Sequence, residues 1–278
     1  MSIHSIPVDL TNPGQVLACM GFLEASEALL GPTEARFDWN SATPQFQLQT
    51  EAVANPFTDV LAFLANAKAI AIAPEDWLVP SKINHYIRSD TFPALQADAT
   101  SLPIGLQDDQ GRSVVLSHWA DASVEDTFKL YAGNRSAQKI ANDMLDAIAE
   151  LWGKQANALT ADPLNLLCSM GGSFNFDPRG AWSGIDIGIP INDLKIIKVV
   201  ASPVVELLAA WGLQHARPFE LSLRRYRYSI WNEWLPPQLA RPALSNQLPL
   251  TRQHRYQFSL ELSGKNKIVC YAIQETTP

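Results

Sequence analysis

Apolar residues in this chain change their spacing repeatedly, and the changes follow no regular alternation. That single property rules out the evenly repeated strand–helix–strand units of a doubly wound parallel sheet. Ile6 and Val8 alternate with polar or turn residues, so 3–8 reads as a strand. After the turn Asn12-Pro13-Gly14, the residues Val16, Met20, Leu23 and Leu30 recur at helical spacing, and Gly31-Pro32 stops the run. The pieces 37–40 and 46–48 suit a hairpin, Asn55 caps a helix carrying Phe57, Val60, Leu61 and Leu64, and 69–73 suits a buried strand. Residues 77–116 are rich in Pro, Asp and Gln and read as loops with short strands. From 120 to 159 the pattern is mostly helical, clearest after Ser136 through Ile140, Met144, Ile148 and Leu151.

The C-terminal part alternates again. Strand-like runs at 185–189 and 195–200 precede a helix over 203–211, which Gly212 is expected to close. The run 219–230 reads as one long strand, with Leu221, Leu223, Arg225, Arg227 and Ser229 on one face and Arg224, Tyr226, Tyr228 and Ile230 on the other. Pro236, Pro237, Pro242 and Pro249 mark an irregular crossing, and 255–262 pairs with 268–273 as a hairpin. The expected class is α+β, with mixed or antiparallel sheets and packed helices.

Composition narrows the function. The chain has 278 residues, 47% of them apolar and 18% charged, so it can bury a real core and is not a disordered segment. No apolar run is long enough to span a membrane, and the opening lacks the basic-then-apolar order of a signal peptide. Cys19, Cys168 and Cys270 are dispersed, as suits reduced thiols, and the expected location is the cytoplasm. The net charge of −7 disfavours an autonomous nucleic-acid binder. It is unevenly spread, however: 191–278 holds eleven basic and six acidic residues, a net +5, which leaves −12 for the first 190. The chain divides on this basis into an acidic α/β region, 1–160, and a basic strand-rich region, 161–278, which one compact domain can also contain.

Chemistry-bearing motifs are few. No phosphate-cradling glycine motif, nucleophile elbow or HExxH is present, and the five histidines are single and dispersed. Asp177, Asp186 and Asp193 supply the oxygens a two-metal nuclease would need, but Asp177 before Pro178 suits a turn and Asp186 lies between isoleucines on a strand. The segment Leu223-Arg224-Arg225-Tyr226-Arg227-Tyr228 is the most suggestive: arginine forks suit phosphate oxygens and tyrosines suit stacking on unpaired bases. Its alternative use is structural, with aromatics in the core and arginines neutralising the acidic N-terminal region or a partner protein. The glycine-punctuated stretch 171–182 reads as a projecting loop with Arg179 and Trp182 at its tip. Lys195 and Lys198 on the next run, with Arg135 and Lys139 at the start of the long helix, complete the candidate nucleic-acid contacts.

Three segments resemble a known family. They are Asn12-Pro13-Gly14-Gln15 running on to Cys19, Gly21, Leu23 and Glu24; Phe128-Lys129-Leu130-Tyr131-Ala132-Gly133-Asn134; and Phe176-Asp177-Pro178-Arg179-Gly180-Ala181-Trp182 followed by Pro203-Val204-Val205-Glu206-Leu207-Leu208. Their wording is similar to the Csb-type proteins of CRISPR subtype I-G (formerly I-U) effector modules, although Tyr131 and Asn134 stand where that family has Trp and Gln. The resemblance implies a non-catalytic subunit of a Cascade surveillance complex in antiviral defence, without cofactor or metal. Its implied partners are crRNA, target DNA and the other Cascade subunits, with a helicase-nuclease recruited indirectly, and base pairing would carry the sequence specificity. Both a large-subunit role and a backbone role with a ferredoxin-like (RAMP-like) element remain open. The strand–helix–strand opening permits the second. The alternatives are a structural adaptor of the same complex and a metal-dependent nuclease.

Overall fold

The computed structural model describes residues 2–51, 54–81, 83–89, 101–119, 128–131, 135–180, 200–250, 252–263 and 266–276. Trp182, Asp186, Asp193, Lys195 and Lys198 lie outside them, as do the runs at 185–189 and 195–199.

The chain opens β1 (Ser2–Pro7), α1 (Pro13–Leu30), β2 (Thr33–Asp38), β3 (Gln45–Thr50), α2 (Pro56–Asn66) and β4 (Lys68–Ala73). The Asn12 side chain accepts from Gln15 N to start α1, Asn55 does the same for α2 through Phe57 N, and a proline stands at the first turn of each. β1, β3 and β2 form an antiparallel sheet in that order, which is three-quarters of a ferredoxin-like sheet. Among the described residues no fourth strand joins it. β4 instead joins β5 (Tyr86–Arg88), β6 (Ile104–Gln107) and β7 (Ser113–Leu116) in the order β5-β4-β6-β7. The ferredoxin-like element therefore stops at its third strand.

α3 (Ala137–Ala161) begins at Ser136, whose hydroxyl accepts from Lys139 N, and buries Ile140, Met144, Ile148 and Leu151 as its spacing requires. Further on come α4 (Pro203–His215) and α5 (Pro237–Leu244). α4 corrects the expected stop at Gly212, because the helix runs straight through to His215. Gly212 is there for packing: a Cβ at this position would lie 2.2 Å from the Leu17 carbonyl oxygen, and one at Gly21 would lie 2.0 Å from that of Leu208. Two apolar helices, α1 and α4, thus cross with their backbones in near contact, and each is buried over most of its length. α5 in turn replaces the irregular crossing expected around Pro236–Pro249; its first prolines sit where missing N–H groups are harmless.

The C-terminal sheet has the order β10 (Phe219–Ser222), β11 (Arg225–Trp231), β12 (Gln253–Ser263), β13 (Asn266–Val269), with β14 (Ile273–Gln274) also on β12. β8 (Cys168–Ser169) and β9 (Val200–Ala201) make a small separate pair. The expected single strand over 219–230 is a hairpin, turning at Leu223-Arg224 with Arg224 in left-handed backbone conformation at φ 61°. The expected hairpin of 255–262 with 268–273 forms between β12 and β13, but its second strand ends at Val269 and Ile273 belongs to the separate β14. One contiguous core joins Ile6 at one end of the chain to Ala272 at the other, so the acidic and basic regions share it. The fold is α+β, and no helix among the described residues is long and apolar enough to cross a membrane.

Candidate nucleic-acid interface

Two polar regions hold most of the residues singled out in the sequence, and they differ in burial. The first is interior. Asp177, 1% exposed, receives hydrogen bonds from Asn12 Nδ2 at 3.3 Å and from Ser202 N at 3.1 Å. Asn12 and Ser202 are the N-caps of α1 and α4, so one carboxylate stands where two helix N-termini converge and where negative charge is favoured. Arg179 closes on the same carboxylate, Nη2 to Oδ2 at 2.7 Å and Nε to Oδ1 at 2.8 Å. Its remaining N–H groups reach Leu164 O at 2.7 Å and Asn165 Oδ1 at 2.9 Å. Glu206, fully buried in the first turn of α4, accepts from the backbone N–H groups of Phe176 and Asp177. Burial, with the Asp177 charge adding to it, pushes the Glu206 carboxyl up to about 7.

The described part of 171–182 is therefore not a projecting loop. Phe174, Phe176, Asp177 and Pro178 are buried, because two aromatic rings gain more in the core than a hairpin tip would gain in water. Arg179 is 17% exposed and turned inward. A Cβ on Gly14 would lie 2.4 Å from the Phe176 carbonyl oxygen, and Tyr131 packs on Phe174 and Trp119. All three segments that carry the family resemblance meet here, as parts of one packing junction. Beside it, His118 is buried against Trp119 and Phe176, with no side-chain hydrogen bond of ordinary geometry. Burial, reinforced by the Arg217 charge, holds its imidazole neutral down to about 3.

The second region is the open face of the C-terminal sheet. Strand alternation sends Tyr226 and Tyr228 inward, at 2% and 1% exposed, where Tyr226 packs on Phe128 and Phe258. Tyr226 is thus a core residue and offers no exposed ring for stacking. Arg225 and Arg227 point the other way, opposite Ser259 and Gln257, and Arg255 follows on β12 opposite Ser229. Arg224 occupies the hairpin turn, not the tyrosine face. The exposed side chains of Arg224 and Arg225 have no partner among the described residues. Arg255 donates to Asn246 Oδ1 at 3.0 Å, and Arg227 is paired with Glu275. A groove of about 490 Å³ runs along this face, lined by Arg225, Gln257, Ser259, Tyr271, Gln274 and Glu275 among others.

The sequence reasoning passed over Glu206, Arg255, Tyr271 and Glu275. Only Arg255 carried a signal, as a basic residue at alternating spacing; the others matter through partners distant in sequence. Arg135 and Lys139 lie at the start of α3, where Arg135 Nη1 would touch a Cβ at Gly172 and Lys139 pairs with Asp143 at 3.4 Å. No contact among the described residues ties them to the sheet face. Nor does any group of three or more His, Cys, Asp or Glu gather as metal ligands among the described residues. Comparison with family models, with curated proteins and with solved structures finds no match to this chain.

Proposed function

We propose that the chain is a non-catalytic subunit of a CRISPR RNA-guided effector complex in antiviral defence, and that the open face of its C-terminal sheet contacts the phosphate backbone of crRNA or target DNA. The observation that carries the nucleic-acid part is the pair Arg224 and Arg225, exposed at a hairpin turn without a partner among the described residues and continued along the face by Arg227 and Arg255. Arg224 adds to the argument because a non-glycine residue in left-handed conformation costs about 1 kcal/mol, and such strain concentrates at working sites. Arginine forks without exposed aromatic partners suit phosphate, which is read by shape and charge, more than bases. Membership of the effector rests on the resemblance of the Asn12, Phe128 and Phe176 segments. Sequence recognition would then belong to the guide, and this subunit would hold backbone.

The test is target-DNA binding by the assembled complex with Arg224 and Arg225 both changed to alanine. Affinity is expected to fall by about tenfold or more at low salt, with a salt slope shallower by up to about two, equally for all target sequences. Unchanged affinity and slope would remove the direct-contact reading. A second reading, a protein adaptor, is favoured by the apolar side chains on the β10 hairpin. Phe219 and Leu221 are 44% and 36% exposed in a strand whose other edge is unpaired among the described residues, and Leu223 in the turn that follows is 84% exposed. Recovery of the other subunits after nuclease treatment, lost on Leu223→Glu and kept in the arginine variant, would support it.

A further inference from the structure

Within the proposed phosphate-binding face, one arginine is already occupied by an anion of the chain itself. Arg227 Nε donates to Glu275 Oε1, and Gln257 Nε2 donates to the same oxygen at 2.6 Å. A carboxylate taking an arginine N–H and an amide N–H together occupies the arrangement a phosphate oxygen would take. Arg227 stands two residues from the exposed Arg225 on the same face of β11, about 6.6 Å along the strand. That separation is comparable with the spacing of successive phosphates in an extended single strand. Arg225, Gln257 and Glu275 line the groove while Arg227 does not, so the clasp stands at the groove's wall, with its carboxylate and amide facing in.

The segment that brings Glu275 there is anchored at its start, where buried Ala272 donates its N–H to Thr11 O at 2.7 Å, and is held by few bonds beyond that. β14 has two residues, pairing with β12 only at Tyr256 and Gln257, and Ile273 is 78% exposed. One further backbone bond, Glu275 N to Arg255 O at 2.8 Å, follows it. Tyr271, half exposed, borders the groove where this segment leaves β13. Releasing Glu275 gives up its two side-chain hydrogen bonds and the burial of a side chain that is 20% exposed.

Resting on the phosphate-contact reading above, we propose that the groove is a phosphodiester seat for a single strand, and that Glu275 is an internal stand-in for phosphate which the strand displaces from Arg227 and Gln257. Arg225 then takes one phosphate without competition, and Arg227 takes the next only after Glu275 leaves. The clasp sets a threshold that suppresses casual binding, in keeping with a subunit meant to hold strand only within an assembly.

The test uses the full purified chain with labelled short mixed-sequence single-stranded RNA and, separately, DNA, read by anisotropy over a salt series. Wild type, Glu275→Gln, Glu275→Ala, Arg225→Ala and the double variant Glu275→Gln/Arg227→Ala are compared after their thermal midpoints are checked. Both Glu275 variants are expected to bind about three- to tenfold tighter than wild type at low salt and to steepen the salt slope by about one, because one more phosphate is neutralised. The double variant should lose that gain. Unchanged affinity and slope on Glu275→Gln, with weakening on Arg225→Ala, would overturn the clasp and leave the face standing. No binding by any variant would overturn both. A gain on RNA alone would move the contact from phosphate to ribose and overturn the phosphate assignment.

Discussion

The Asp177 junction and the open face of the C-terminal sheet are both built from arginine and carboxylate, yet they differ in every respect that matters for use. At the junction, Arg179 and Asp177 are at most 17% exposed, and each is met by several fixed donors or acceptors. Desolvated charge of this kind is tolerated only when fully paired. On the sheet face, Arg224 and Arg225 are exposed with no partner among the described residues, and Arg227 is held by a single carboxylate. A buried charge network specifies how elements meet, whereas an exposed one is available to something else. The difference teaches that charge near Phe176 is used up in holding the fold together, and that charge left available lies on the sheet face.

The comparison breaks most visibly at Asp177. Asp177→Ala would strand Arg179 and leave the Asn12 amide and the Ser202 N–H, at the starts of two helices, without their buried acceptor. It is expected to cost about 3–5 kcal/mol, measured by denaturant unfolding. If this variant unfolds easily while the Arg224/Arg225 double variant keeps its midpoint within about 0.5 kcal/mol, the division into structural and available charge holds. Equal losses in both would erase it.

Glu206 sharpens the same contrast through pH. Its folded carboxyl titrates near 7 and its ordinary value is 4.5, so between those values the folded state keeps a proton that the unfolded chain releases. Stability from this group is present at low pH and is lost as the pH rises through that window. His118 works the other way: folded near 3 and ordinarily 6.5, it costs stability as pH falls below 6.5. The two largely cancel between about 4.5 and 6.5, so the wild-type profile alone says little. Relative to Glu206→Gln, wild type should lose up to about 3 kcal/mol on going from pH 4.5 to 7, beside a pH-independent cost to the variant for its lost acceptor. A constant gap across that range would mean that Glu206 is not the protonated partner of Asp177.

The smallest expected effect separates fold from use at one residue. Arg224→Gly relieves the left-handed strain and should raise stability by up to about 1 kcal/mol while weakening oligonucleotide binding and flattening its salt slope by about one. Chemical denaturation and a salt series read the two quantities independently. Stability gained with binding unchanged would return Arg224 to an ordinary turn position.

Much of the fold was legible because its signals are local. Asn12, Asn55, Ser136 and Ser202 cap the helices they precede, and the spacing of Ile140, Met144 and Ile148 marks the buried side of α3. The tyrosine and arginine alternation in β11 was legible as well. What misled was any residue whose reason lies across the molecule. Gly212 looks like a helix stop and is a helix crossing, since nothing local tells a glycine needed for left-handed backbone from one needed for lack of a side chain. Glu206 looks like an ordinary first-turn acid until the loop at Phe176 is laid on it.

By itself, then, the sequence determined the α+β class, the main helices with their caps, the uneven charge and the alternation that separates Tyr226 from Arg225. Only the tertiary structure decided which charged residues are spent. Arg179 and Arg225 are the same side chain in equally suggestive company, and composition cannot rank them. Burial ranks them, because removing a guanidinium from water demands fixed partners on nearly every N–H, and those partners come from Leu164 and Asn165, remote from the motif that contains Arg179.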